Sequence, residues 1–180
     1  MTLKSARLET PVGPLVLFVN GGAVCGLGFE DGRPGLTRWL EGRFGRYVVE
    51  KEPDPAGAVS RLAAYLAGDL AAIDDLPVDL GGTAFQRRVW EQLRRIPAGR
   101  TASYADVAAA IGAPSAVRAV GAANGRNPVS IIVPCHRVIA SDGTLCGYGG
   151  GLHRKRWLLG HEGAAVPPNR SPAQASLALT

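Results

Sequence analysis

A cysteine and a histidine, Cys135 and His136, stand side by side directly after an unbroken apolar run. The thiolate is the reactive form of cysteine, and a nearby imidazole can raise the thiolate fraction above that of a free thiol, whose pKa is about 8.5. The run Val129–Val133 predicts a buried strand, which would deliver Cys135 to a rigid position at its end. This pattern predicts nucleophilic chemistry at Cys135, with His136 as the base.

These residues also allow two other interpretations, a buried structural cysteine and a metal site. Burial as a structural residue is the usual fate of a cysteine. Neighbouring side chains on an extended segment point to opposite faces, so we expect no direct contact between Cys135 and His136. A metal site would have to combine Cys135 with Cys146, His153 and His161, whose spacings match no zinc pattern. We therefore expect no metal, and we expect the last two histidines to lie on the surface.

Several short strings around this pair occur in a fixed order. Arg118–Gly121 reads Arg-Ala-Val-Gly, Asn127–Val129 reads Asn-Pro-Val, and a glycine-rich stretch, Gly147–Leu152, follows the cysteine. Together with Pro-Cys-His-Arg-Val, and with Glu162 beyond it, this set resembles the O6-alkylguanine-DNA alkyltransferases (methylated-DNA–protein-cysteine methyltransferases). The resemblance is dense from residue 85 to residue 163, weaker over residues 1–80, and absent from the tail.

The resemblance implies DNA repair by direct reversal. Cys135 would attack the alkyl carbon on O6 of a guanine in double-stranded DNA and form a thioether. A thioether has no electrophilic carbonyl for water to attack, so each chain would react once. His136 would act on the thiol through a bridging water, with Glu162 orienting the imidazole. No cofactor is implied, and O4-alkylthymine remains open as a second substrate.

The resemblance also implies residues for DNA binding and base recognition, because the base must leave the duplex to reach the thiol. Tyr104 would donate a hydrogen bond to the leaving guanine, and Arg118 would fill the space that the base vacates. Asn127 would tie the helix-turn-helix to the cysteine strand. Gly149 is a departure, since serine occupies this position in some relatives. The other implied residues are Ser103, Ser115 and Ala119 for DNA contact, and Val138, Leu145, Tyr148, Gly149 and Gly150 for the base pocket.

Charge is distributed unevenly along the 180 residues. Residues 1–80 contain 8 Lys+Arg and 11 Asp+Glu, a net charge of −3, whereas residues 81–165 contain 11 and 4, a net charge of +7. The second part is therefore the candidate for contact with a polyanion such as DNA, although a solvated basic face is the ordinary alternative.

The hydrophobic patterns predict an α+β protein of two domains and a tail. Residues 1–80 form a small supporting domain without a catalytic constellation, residues 81–165 carry a helix-turn-helix and the thiol, and residues 166–180 form a disordered tail. The resemblance implies a ribonuclease-H-like first domain and a winged-helix or helix-turn-helix-like second domain. The predicted strands are 15–19, 23–29 and 47–49, and the predicted helices are 36–44, 58–67, 84–95, 103–111, 116–124 and 152–161, with a capping box at Thr83.

The three cysteines do not form an even disulfide framework, and no apolar run is long enough to span a bilayer. We therefore expect a protein of a reducing compartment, the cytoplasm, without a membrane partner. Some members of the family hold a zinc through Cys and His in the first domain. That part of this chain has Cys25 and no histidine, so we expect no such zinc. A monomer is expected, and cooperative binding on DNA is left open.

Two rival functions use the same residues differently. A non-catalytic module could recognise alkylated DNA and recruit other proteins, but relatives of that kind lack the cysteine. A cysteine hydrolase would form a thioester and turn over repeatedly. The number of reactions per chain separates the hydrolase from an acceptor that reacts once.

Overall fold

The computed structural model describes residues 1–169 and has a mixed α+β architecture. The strands are β1 (Thr2–Leu8), β2 (Leu15–Asn20), β3 (Ala23–Phe29), β4 (Val48–Lys51), β5 (Ala102–Ser103) and β6 (Val138–Ile139). The helices are α1 (Arg33–Phe44), α2 (Ala58–Leu66), α3 (Ala84–Leu93), α4 (Tyr104–Ala110), α5 (Val117–Gly125) and α6 (Leu152–His161). Apart from boundary shifts of a few residues, the helices agree with those predicted from the sequence.

Four strands form a sheet in the order β3-β2-β1-β4, antiparallel except that β4 runs parallel to β1. The predicted hairpin between β2 and β3 is confirmed, and its turn uses Gly21 and Gly22 at φ values of 54° and 86°. Strand β1 was missed by the sequence prediction. Small and polar residues fill most of it, and only Leu3 of its seven residues is buried.

The sheet is covered on both faces, which explains why β2 is a continuous apolar run rather than an alternating one. On one face, α1 packs against a small core that includes Leu3, Phe18 and Leu40. On the other face lies the main core, which extends from Leu17 in the sheet to Trp90 in α3. One hydrophobic core is therefore shared by the two halves of the chain.

Two helices of the second half, α3 and α4, begin at side-chain caps, and one buried tryptophan joins α3 to α5. The Thr83 side chain accepts from the backbone N–H of Gln86, and the Gln86 side chain accepts from the backbone N–H of Thr83, so the predicted capping box is confirmed. Ser103 and Asp106 form a second box at the start of α4. The indole of Trp90 donates to the carbonyl of Ala123 over 2.8 Å and thereby ties α3 to α5.

The predicted strand at Val129–Val133 is wrong, because this buried run folds as a compact loop. Its middle residue, Ile131, has a φ of 72°, which no strand residue adopts. The N–H of Val133 bonds back to the carbonyl of Val129 over 3.0 Å. The run is buried without being extended, a distinction that hydrophobicity alone cannot make.

The loop is held by the edge of the first sheet. The N–H of Leu27 donates to the carbonyl of Pro128, and the N–H of Ser130 donates to the carbonyl of Leu27, each over 2.9 Å. Strand β3 thus supports the backbone that leads to Cys135.

The end of the described chain packs on the second half. The N–H of Leu145 donates to the carbonyl of Pro168 over 2.9 Å, and Arg156 donates to the carbonyl of Pro167 over 2.9 Å. The rest of the predicted tail, residues 170–180, lies outside the described residues. Within residues 1–169, no helix is both long and apolar enough to cross a membrane.

We expect Thr83→Ala to lower the free energy of unfolding by about 1 kcal/mol, because it removes the side-chain acceptor of the capping box. Urea denaturation of both proteins measures the difference. The exposed Thr101, whose side chain makes no hydrogen bond within the described residues, supplies the matched control Thr101→Ala. Equal stability of the two variants would contradict a stabilising cap.

Candidate active site

Cys135 begins a short 3-10 turn, Cys135–Arg137, rather than ending a strand. Its N–H donates to the carbonyl of Val133 over 2.8 Å, which closes the turn between the loop and the cysteine. The residue is 5% exposed, and that exposure opens into a cavity of about 250 Å³. The cavity is lined by Tyr104, Gly121, Asn124, Gly125, Asn127, Ser130, Cys135, Gly147, Tyr148, Gly149 and Gly150.

The thiol of Cys135 is buried, and burial raises its pKa because the charged thiolate loses solvation. A hydrogen bond from Asn127 and the positive charge of Lys155 act in the opposite direction, but they do not outweigh the burial. At neutral pH the resting thiol is therefore protonated, and its use as a nucleophile requires a base that removes the proton.

His136 is completely buried and has one occupied and one unoccupied ring nitrogen. Its Nε2 lies 3.0 Å from Oε1 of Glu162, whereas its Nδ1 has no hydrogen-bond partner within the described residues. Burial lowers the pKa of His136, although the Glu162 carboxylate opposes the shift. The imidazole is therefore neutral, and because an ionised carboxylate only accepts, Nε2 carries the proton. Nδ1 is left with a lone pair that can accept one.

Glu162 is a fully buried carboxylate held by three side chains from two segments, Tyr65 in α2 and both His136 and Arg137 in the Cys135–Arg137 turn. Arg137 donates from Nε to Oε2 over 2.9 Å and from Nη2 to Oε1 over 2.7 Å. The hydroxyl of Tyr65 donates to Oε1 over 2.7 Å. Burial alone would raise the pKa of Glu162, but the hydrogen bonds from His136 and Arg137 outweigh it and hold that pKa well below its usual range. The group is therefore a permanent anion behind the imidazole.

Asn127 and Lys155 fix the backbone on either side of the cysteine. The amide of Asn127 donates to the carbonyl of Val133 over 2.8 Å and accepts from the N–H of Val129 over 2.9 Å. The buried Lys155 donates to the carbonyls of Val138 and Cys146, over 2.5 and 3.1 Å. Together they hold the loop and place a cation behind the thiol.

Two tyrosines, Tyr104 and Tyr148, are among the polar residues that line the cavity. Burial raises the pKa of Tyr104, with the neighbouring Cys146 as a further cause, so its phenol stays a neutral donor. Burial also raises the pKa of Tyr148, whose hydroxyl has no partner within the described residues. The ring of Tyr148 packs edge-on against Phe29, with 6.4 Å between the ring centroids.

The glycines that roof the cavity differ in what they require. A Cβ at Gly150 would lie 2.5 Å from the Phe29 ring, so only glycine fits there. A Cβ at Gly149 would meet no atom within 4 Å, so a small side chain could begin there without a clash.

Two residues expected in the base pocket lie outside the cavity lining. Val138 is fully buried, and its carbonyl accepts from Lys155. Leu145 packs with Leu159 and Ala164 in a separate small cluster.

The residues expected to contact DNA differ in their exposure. Arg118 and Ala119 are exposed in the first turn of α5, and Ser115 is exposed in the loop before it. The guanidinium of Arg118 makes no hydrogen bond or ion pair within the described residues. Ser103 is half-buried, and its side chain caps α4.

Tyr65, Arg137 and Lys155 belong to this site but were not among the residues predicted from the sequence. Arg137 follows the Cys-His pair directly, so its position in the motif could have identified it. Tyr65 lies 97 residues before Glu162, and no local pattern connects them. His161 was expected on the surface, but it is half-buried and its Nε2 lies 2.8 Å from the carbonyl of Tyr65. Within residues 1–169, no cluster of three or more His, Cys, Asp or Glu residues could hold a metal.

We expect Glu162→Gln to lower the free energy of unfolding by about 3 kcal/mol at pH 7, because the buried Arg137 loses its counter-ion. The carboxylate has a lowered pKa, so its contribution is complete above the unfolded value of about 4.3 and is lost as the pH falls toward the folded value. Urea denaturation should therefore show a constant difference from pH 7 to pH 5 and a narrowing one below pH 4.3.

Glu91→Gln is the matched control, since Glu91 is exposed and has no ion pair within the described residues. This control should leave stability within about 0.5 kcal/mol of the parent. A stability difference between the parent and Glu162→Gln that widens as the pH falls would contradict a lowered pKa for Glu162.

The comparisons with known proteins agree over nearly the whole chain. Residues 84–164 match the family model described as 6-O-methylguanine DNA methyltransferase, DNA binding domain. A methylated-DNA–protein-cysteine methyltransferase of Salmonella typhimurium is 46% identical over 166 residues, which cover 91% of this chain and 97% of that protein. A protein of the same name from Mycobacterium tuberculosis is 47% identical over 175 residues, which cover 94% and 95%.

Solved structures give the same result. The crystal structure of Mycobacterium tuberculosis OGT in complex with DNA has a TM-score of 0.75 and 42% identity, and the match covers 93% of this chain and 96% of that one. The O6-methylguanine-DNA methyltransferase of Pyrococcus kodakaraensis has a TM-score of 0.71 at 29% identity. The identity and coverage of these relatives show that the chain belongs to the methylated-DNA–protein-cysteine methyltransferase family.

Proposed function

We propose that this protein repairs DNA by moving an alkyl group from O6 of a guanine to its own Cys135, once per chain. The observation that carries the proposal is the buried thiol on a cavity, followed in the chain by an imidazole whose Nε2 meets a carboxylate and whose Nδ1 has no partner among residues 1–169. The names of the relatives at 46 and 47% identity support the same reaction.

The reaction is a single displacement in which every proton has an acceptor. A bridging water takes the thiol proton of Cys135 and passes one to Nδ1 of His136, while Glu162 stabilises the resulting imidazolium. The sulfur forms a bond to the alkyl carbon as the bond from that carbon to O6 breaks, and its electron pair leaves on the guanine. The phenol of Tyr104 donates a hydrogen bond to this developing anion. The imidazolium then returns its proton through water to the guanine anion at N1, so the products are a thioether, an unmodified guanine and a neutral imidazole.

The thiol can be reached only by a base that has left the duplex, because Cys135 is 5% exposed. The exposed Arg118 in the first turn of α5 is suited to fill the gap in the stacked bases. The complex of the Mycobacterium tuberculosis relative with DNA supports DNA as the partner.

The domain arrangement inferred from the family assigns support to residues 1–80 and DNA binding to residues 81–165. The sheet order β3-β2-β1-β4, with β4 parallel to β1, supports a ribonuclease-H-like first domain. The pair α4 and α5, with Gly112 between them at a φ of 70°, supports a helix-turn-helix in the second.

We expect at most one alkyl group to be transferred per chain, all of it to Cys135, because a thioether cannot be hydrolysed by this site. Duplex DNA carrying a radiolabelled O6-methylguanine methyl group measures this, with peptide mapping of the label. Cys135→Ala should accept no label and still bind DNA, and Cys146→Ala is the matched control. Sustained turnover would favour a hydrolase, and label on Cys25 or Cys146 would contradict the site.

We expect Arg118→Ala to slow transfer from duplex DNA at saturating concentration while leaving transfer from free O6-benzylguanine near normal. Extrusion of a base costs a few kcal/mol in a duplex, and a free base needs none. Single-turnover rates with the two substrates test this. Arg126→Ala is the control for a generic phosphate contact, since Arg126 is also exposed. Equal slowing with both substrates would instead indicate damage to the pocket.

A further inference from the structure

We propose that Tyr65, in the supporting first half of the chain, is a positioning residue for the activation of Cys135 and acts through Glu162 on His136. This inference rests on the proposed transfer and on the relay of Cys135, His136 and Glu162. It gives the first half of the chain a part in the chemistry that its sequence does not indicate.

The contact between the two halves is direct and buried. Tyr65 lies in α2 and has no exposed surface, and its hydroxyl donates to Oε1 of Glu162 over 2.7 Å. The same oxygen accepts from Nε2 of His136 at 3.0 Å. Burial raises the pKa of Tyr65, so the phenol stays protonated and can only be the donor in this bond.

Tyr65 is itself fixed from the end of the helix that precedes Glu162. Nε2 of His161 lies 2.8 Å from the carbonyl of Tyr65, and the two rings pack edge to face with 5.2 Å between their centroids. Trp157 stacks on His161 at 4.8 Å. The hydroxyl therefore meets the carboxylate in one defined position rather than as one of several rotamers.

Tyr65 affects His136 because both side chains donate to the same oxygen, Oε1 of Glu162. Oε1 receives Tyr65, His136 and Arg137, so each donor takes part of its negative charge. Loss of the Tyr65 hydroxyl would leave more of that charge to the imidazole and raise the pKa of His136. It would also free the carboxylate to rotate, which would turn the imidazole away from its working orientation.

The test measures the rate at which free O6-benzylguanine alkylates Cys135 between pH 5.5 and pH 8.5. This substrate needs no DNA, so binding to the duplex does not enter. We expect Tyr65→Phe to react about tenfold more slowly at pH 7.5. The acid limb of its profile should move to higher pH, because His136 must be neutral to act as the base. Tyr47→Phe is the matched control, since Tyr47 is half-buried in the small core on the far face of the sheet.

A second pair of variants distinguishes positioning from support of the fold. In His136→Gln, which keeps a side-chain donor near Glu162 but removes the base, adding Tyr65→Phe should slow the reaction no further. A purely structural Tyr65 would slow both backgrounds by the same factor, and that result would overturn the proposal. So would an unchanged rate and profile in Tyr65→Phe alone. Thermal unfolding of all four proteins verifies that each is folded at the assay temperature.

The same measurements distinguish a failure of the Tyr65 proposal from a failure of the proposed alkyl transfer or of the relay through His136. A parent protein that does not become alkylated at Cys135 would overturn the proposed function. A His136→Gln variant as fast as the parent would overturn the relay. An additive effect of Tyr65→Phe contradicts the positioning role of Tyr65 only when the parent is alkylated at Cys135 and the His136→Gln variant is slower than the parent.

Discussion

The buried carboxylate of Glu162 is the constraint on which the rest of the site depends. An unpaired ion in the interior costs several kcal/mol, so its oxygens must be met by donors with good geometry. The chain supplies them from two segments: Tyr65 donates from α2, and His136 and Arg137 donate from the turn that begins at Cys135. These segments can meet only when both halves of the chain are folded and packed on one core.

The burial of the site also determines the protonation states of Cys135 and His136. It raises the pKa of Cys135 and lowers that of His136, so the resting site contains a neutral thiol and a neutral imidazole rather than an ion pair. In return, the low dielectric strengthens the interactions of the charges that remain, among them the Glu162 anion and the Arg137 and Lys155 cations. The protonated thiol is therefore a weak nucleophile until a base removes its proton.

The sequence predicted features that are written in neighbouring residues and missed those made by tertiary contact. The capping box of Thr83 and Gln86 was predictable because its donors and acceptors lie three residues apart. The loop before Cys135 was not, since an apolar run is equally compatible with a strand, and only the φ of Ile131 and the edge of β3 decide the outcome. The contact of Tyr65 with Glu162 could not be predicted either, because the two residues lie 97 positions apart in the sequence.

The chemistry of a thioether explains why so few groups are needed. A hydrolase must stabilise an acyl intermediate and then direct water against it, which calls for an oxyanion hole and a base that acts twice. Transfer to Cys135 would end at the first step, so one proton acceptor and one donor to the leaving base suffice. The remaining residues, Asn127 and Lys155 above all, serve to hold the loop still. If the site reacts once, as proposed, it would gain little from fast recovery of the thiol, and it could place that thiol in the core, where the fold rather than the solvent determines what reaches it.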